Sequence, residues 1–292
     1  MSPLNVNANS HSHNILLIAC QNGSGQDLSG EPRMQTLIET PSLIVGLLAI
    51  AAVLVAGIIS DIRQKARSAE DRQPVIRQYR KTGLTLWALC LATLACWHVA
   101  GLPFGQLGLQ APAGWRGALA WALAGAAILY GLYSLITAAL NRTARSALRT
   151  QLDEAEGFDQ LRPRRLSEHL GFQALSITAG ITEEIIFRGF LMATLALVMP
   201  IWAAALASIS LFIIAHAYQG MSGMLRILPI TVLMTAVVLL GGSLWPAIII
   251  HALADALAGC LVALTDAHAR ADQAMADQEV SDGPGEADAL PA

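Results

Sequence analysis

The sequence predicts an all-α, polytopic transmembrane helix bundle of about seven spans enclosing a polar intramembrane cavity, and three observations carry that prediction. Hydrophobic residues make up 54% of the 292 and charged residues only 13%, against roughly 25% charged in ordinary soluble domains. The apolar residues gather into runs close to the roughly 20 needed to cross the hydrocarbon, at about 41–60, 83–101, 116–139, 171–197, 201–218, 224–241 and 244–265. The charges that remain are concentrated between the runs, the pattern of a chain threaded repeatedly through a bilayer. Helices are the expected element because lipid-exposed irregular backbone leaves polar groups unsatisfied at that depth.

Before the first run, residues 1–40 are rich in Asn, Ser, Gly and His and read as a polar, disordered tail. Leu17-Ile18-Ala19-Cys20 superficially resembles a lipoprotein cleavage site, but no Lys or Arg precedes it and its apolar run is too short for a signal core. Met34 is an alternative start. The connection after the first run carries Arg63, Lys65, Arg67, Arg72, Arg77, Arg80 and Lys81. The one after the third carries Arg142, Arg145, Arg149, Arg162, Arg164 and Arg165. Both are expected in the cytoplasm, with the N-terminus outside and, by the parity of seven spans, the C-terminus inside. Residues 41–165 thus form a block of N-terminal spans and basic loops, 166–266 a core, and 267–292 an acidic, disordered tail.

The four cysteines suggest neither a disulfide framework nor a zinc site. Cys90 and Cys96 share one run, Cys260 lies in another and Cys20 in the tail, with no C-x-x-C spacing. They read as small apolar fillers.

The chemistry starts in the fourth run, at Ile181-Thr182-Glu183-Glu184-Ile185-Ile186-Phe187-Arg188-Gly189-Phe190. Charges inside a span are costly and tend to pair and to have a function. Positions four apart share a helical face, so Glu184 and Arg188 can pair while Glu183 projects about 100° away. One glutamate then neutralises the arginine and the other stays available as a base. A buried pair that merely joins two helices would explain a single Glu with Arg, but leaves the second Glu unexplained.

Two later runs each carry a histidine. In Phe212-Ile213-Ile214-Ala215-His216 the phenyl ring and the imidazole lie one turn apart, so the ring can shield the imidazole from lipid. In Gly242-Ser243-Leu244-Trp245-Pro246, Ser243 can cap a helix, Trp245 suits the interface and Pro246 fits a first turn. His251 and Asp255 then stack one turn apart within that span. His98 near the outer interface, His169 at a cytoplasmic helix start, and His11, His13 and His268 outside the spans are weaker candidates.

The order Glu-Glu-x-x-x-Arg, Phe-x-x-x-His and His-x-x-x-Asp, each in its own run over about residues 170–265, resembles the CPBP (CAAX protease and bacteriocin-processing, or Abi) intramembrane proteases. Gly-Ser-Leu-Trp-Pro ahead of the last histidine is similar to members of that family as well. The resemblance implies an intramembrane endopeptidase acting on a membrane-associated peptide or protein, prenylated or not. It places Glu183 as general base with His216, His251 and Asp255 at the oxyanion, and Glu184 and Arg188 at the remaining motif positions. Asp255 stands where several relatives carry Asn, and a carboxylate beside an oxyanion must be protonated or offset by a charged His251. The family has been described both as metalloprotease and as glutamate protease. Glu183, His216 and His251 would be the ligands of a zinc site, yet there is no H-E-x-x-H to bring two imidazoles together on one helix, and no stoichiometric zinc is expected.

Two other classes compete with a protease. An ion-coupled transporter would use the same residue types, but the runs show no internal repeat and no paired broken helices. An inactive immunity or scaffold protein of the same fold would not need the intact motif set. The expected setting is a multi-pass protein of a bacterial inner membrane, with the bilayer and a peptide substrate as partners and no nucleic acid.

Overall fold

The computed structural model describes residues 39–66, 74–153 and 161–281, and among these every regular element is helical. The order is α1 (Pro41–Lys65), α2 (Val75–Val99), a 3-10 turn (Phe104–Leu107), α3 (Gly114–Leu140) and α4 (Arg142–Asp153). α5 (Leu166–Glu183) follows and runs into a π-helical segment (Glu184–Leu191) and α6 (Met192–Leu195). After α7 (Ile201–Ala215) and a 3-10 turn (Ala217–Gln219) come α8 (Gly220–Gly241) and α9 (Trp245–Ser281).

Five of these stretches, Pro41–Gln64, Val75–Val99, Gly114–Leu140, Ala217–Gly241 and Trp245–Gln278, are long and apolar enough to cross a membrane. The α5–π–α6 rod and the short apolar α7 complete a polytopic bundle of about seven traverses. The rod is central: α2 and α9 pack along α5, while α2, α7 and the first 3-10 turn pack on the π segment. Every residue of that segment, Glu184 to Leu191, is buried.

Side-chain ties sort the helix ends into two sets. At one end the Tyr79 hydroxyl donates to the Leu161 carbonyl, Arg162 forms a two-pronged pair with Asp266, and Arg226 donates to the Gln151 carbonyl at 3.4 Å. Arg145 donates to the last carbonyls of α3, Ala138 and Ala139, both at 3.1 Å, which satisfies acceptors that a helix end leaves open. Glu168, in the first turn of α5, accepts the backbone amides of Arg164 at 2.8 Å and Arg165 at 3.1 Å, and these bonds hold its carboxyl below the usual glutamate range. At the opposite end the loop after α2 is bonded to the start of α9. Leu244 N donates to Gly108 O at 2.8 Å, Ser243 Oγ to Gln110 O at 2.7 Å and Trp245 Nε1 to Leu109 O at 3.1 Å. The basic connections therefore share one end, as seven alternating traverses require.

Several boundaries differ from the sequence expectation. α2 begins at Val75, well before 83, because buried Tyr79 anchors a polar first turn that hydropathy alone does not register. α7 ends at Ala215, so His216 terminates the helix instead of lying within it. The acidic stretch from 267 is helical through Ser281 and not disordered over that part. Its many alanines favour helix, and Asp266 and Asp272 tie it to Arg162 and Arg142, the second pair at 3.9 Å. The N-terminal tail to residue 38, with Leu17–Cys20 and Met34, and residues 282–292 lie outside the described residues. Of the cysteines, Cys90 is buried, Cys96 half-buried and Cys260 exposed, and all three are free.

Candidate active site

The π-helical segment sets the geometry of the charged group. A π turn is wider than an α-helical one, and such segments recur at functional sites. Arg188 Nη1 donates to Glu184 Oε1 at 2.9 Å, and both side chains are fully buried. The intrahelical pair expected from the spacing is therefore present. Arg188 Nε also donates to Thr235 Oγ1 on α8 at 3.4 Å, and Thr235 passes its own proton to Thr231 O at 2.9 Å. The guanidinium carbon lies 4.1 Å from the centroid of Phe212, a cation–π contact in a desolvated place. Ser208 on α7 donates to the Phe187 carbonyl at 2.8 Å and fixes α7 against the π segment.

His251 joins the same carboxylate. Its Nδ1 lies 2.8 Å from Glu184 Oε1, so one oxygen of Glu184 serves both Arg188 and His251. With the Nδ1 proton directed at Glu184, the other ring nitrogen points between two further carboxylates, 3.8 Å from Glu183 Oε2 and 3.6 Å from Asp255 Oδ2. These spacings exceed a hydrogen bond. Glu183 Oε2 is buried and has no hydrogen-bond partner among the described residues. Exposure rises across the cluster, from 0% for the side chains of Glu184 and Arg188 to 14% for Glu183 and 44% for Asp255, so the cluster opens on the Asp255 side.

His216 is held by the aromatic neighbour that the spacing suggested. Its ring centroid lies 4.6 Å from that of Phe212, and its Nδ1 is 2.9 Å from the Phe212 carbonyl. A carbonyl only accepts, so Nδ1 carries the proton and a neutral His216 keeps its Nε2 lone pair free. Phe212 is the hub of the site, since its ring also meets His251 at 5.8 Å and Phe187 at 5.3 Å, both edge to face.

All six residues singled out from the sequence, Glu183, Glu184, Arg188, His216, His251 and Asp255, are thus borne by the rod, the end of α7 and α9. The resemblance pairs Glu183 with His216; the imidazole within ion-pair distance of Glu183 is that of His251. Three contributors escaped the sequence reading. Thr235 and Ser208 are hydroxyls in apolar helices, a weak signal by themselves. Gly180 precedes Glu184 by one turn and lies against Ala252 of α9. As for zinc, no group of three His, Cys, Asp or Glu side chains among the described residues is placed to hold a metal ion. His251 has its Nδ1 turned to Glu184, which leaves Nε2 as its one nitrogen that could ligate a metal.

The segment that carries this cluster, residues 166–257, matches the family model of type II CAAX prenyl endopeptidase Rce1-like proteins. That segment is similar to an Rce1-like core. The match covers less than half of the chain, and it takes in every one of the six residues. No curated protein and no solved structure matches the chain. The Rce1-like family is one of protein-hydrolysing enzymes, and the apolar helices around this core make the chain an integral, multi-pass membrane protein.

Proposed function

We propose that the chain is an intramembrane endopeptidase, with its catalytic core in residues 166–266, that hydrolyses a peptide bond of a membrane-associated substrate by means of a water activated by Glu183. The observation that carries the reading is the unequal fate of the two adjacent carboxylates. Glu184 Oε1 is taken by both Arg188 and His251, although its Oε2 has no partner, whereas among the described residues the Glu183 side chain makes no hydrogen bond at all and only approaches His251 at 3.8 Å. A desolvated, unpaired carboxylate beside an imidazole is suited to take a proton.

In this reading Glu183 accepts a proton from the water while His216 Nε2 accepts a hydrogen bond from the same water and orients it. The oxygen adds to the scissile carbonyl carbon, and the carbonyl electron pair moves onto its oxygen. His251, with a proton on the nitrogen that faces Glu183 and Asp255, donates to that oxyanion. Collapse expels the amine, which takes the proton back from Glu183. Arg188 keeps Glu184 ionised, and Glu184 in turn fixes the orientation of His251. The bacterial inner membrane is the proposed location, and a prenylated peptide is one class of substrate, suggested by the description of the matching family.

The test does not require the substrate to be known in advance. Peptide termini of membrane proteins are compared by mass spectrometry in cells carrying wild type or Glu183→Gln, which keeps the size of the side chain and removes its basicity. Termini that appear with wild type and vanish with Glu183→Gln are expected, with the variant inserted at wild-type levels. His216→Ala should lose the same termini. His98→Ala should keep them, because His98 stacks on Phe104 at 6.0 Å, in the last turn of α2. Identical termini in wild type and Glu183→Gln would end the reading.

A further inference from the structure

The cluster supplies fewer hydrogen-bond donors than an oxyanion needs. His251 offers one N–H, while Asp255 as a carboxylate is an acceptor only. An amide at that position could donate where this carboxylate cannot. A second donor has to come from elsewhere.

Tyr218 lies beside the site. α7 stops at Ala215, and the 3-10 turn of Ala217–Gln219 brings the Tyr218 ring to 5.8 Å from that of His216. The Ala217–Gln219 turn that carries it packs on α1 and α7. Gln219 Nε2 donates to the Tyr218 hydroxyl at 3.0 Å. One lone pair is therefore used, and the hydroxyl proton has no acceptor among the described residues. The glutamine is itself seated by a glycine: a Cβ at Gly223 would lie 2.5 Å from Gln219 Cβ and 3.1 Å from its Oε1. Gly220, at φ 72°, makes the turn that leads into α8 in a conformation glycine adopts without strain.

We infer that the Tyr218 hydroxyl is a further hydrogen-bond donor to the carbonyl oxygen of the scissile bond, supplying what the Asp255 carboxylate does not. The inference rests on the hydrolytic reading above and adds a residue to it. Gln219 polarises and aims the hydroxyl, and Gly223 gives Gln219 its place. No covalent step is involved, since the phenol lends its hydrogen to the oxyanion and keeps its bond.

The experiment follows the Glu183-dependent termini, their rate of formation read by pulse-chase, in Tyr218→Phe, Asp255→Asn and the double variant. Tyr218→Phe keeps the ring against His216 and removes one oxygen. It is expected to slow formation by about 10²- to 10³-fold, the usual effect of losing one oxyanion donor. Asp255→Asn in the Tyr218→Phe background restores an N–H donor and is expected to recover at least tenfold of that loss. A Tyr218→Phe rate within threefold of wild type overturns the inference. So does a slow Tyr218→Phe that Asp255→Asn fails to rescue, because the ring or the packing would then be at fault. Absence of any Glu183-dependent terminus counts instead against the hydrolytic reading, so the two failures are told apart.

Discussion

Gly180 and Ala252 meet almost backbone to backbone where α5 crosses α9. A Cβ at position 180 would lie 2.6 Å from Ala252 N and 2.7 Å from its Cα, distances that no side-chain rotation relieves. Gly180 is one turn before Glu184 and Ala252 is the residue after His251, so this crossing sets the 2.8 Å bond between the glutamate and the imidazole.

Gly180→Ala is therefore expected to force the helices apart, destabilising the protein by about 1–3 kcal/mol, as overpacking does. It should also slow Glu183-dependent cleavage by about 10²-fold, because a shift of roughly 1 Å in a catalytic group is enough. Gly125→Ala is the control, since nothing lies within 4 Å of a Cβ there. Thermal unfolding in detergent and the rate of cleavage check both, and equal behaviour of the two variants would contradict the role given to the crossing.

Arg188 is the cation that makes the buried carboxylates tolerable. Its replacement by Met should cost about 3–5 kcal/mol, the usual effect of leaving a buried charge without its partner. Arg188→Lys should not rescue it, since an ammonium lacks the planar fork that reaches Glu184 and Thr235 while stacking on Phe212. The double variant Arg188→Met with Glu184→Gln should regain part of the stability and none of the activity. A cycle of denaturation midpoints would show this, and a stable Arg188→Met single variant would refute it.

Sidedness follows from the basic connections. Reporter fusions in the 61–82 connection, the 140–168 connection and the segment beyond Ser281 should report the cytoplasm, and a fusion at Gln110 the outside. A C-terminal reporter found outside would mean that one traverse is miscounted and that the open side of the cluster faces the other compartment.

Zinc can be checked directly. Purified protein is expected to carry less than one zinc per chain and to keep its activity after dialysis against chelator. Stoichiometric zinc, lost together with activity and restored with it, would make Glu183 a ligand or a metal-assisted base.

The sequence by itself determined the membrane architecture, because crossing hydrocarbon demands long apolar runs whatever surrounds them. It also determined the Glu184–Arg188 pair, since one helical turn joins them irrespective of any other element. The cost of burying charge set His251 and Asp255 apart as candidates without a structure. What it left open were the relations between helices. That Glu184 serves His251 as well as Arg188, that Phe212 lies under the guanidinium, and that Gly180 admits Ala252 depend on crossings which no periodicity encodes. The helical extension past residue 266 was missed for a related reason. An alanine-rich acidic stretch looks like tail until Arg162, 104 positions earlier, is brought against Asp266. Local spacing fixes which face a side chain occupies, and only tertiary packing decides what that face meets.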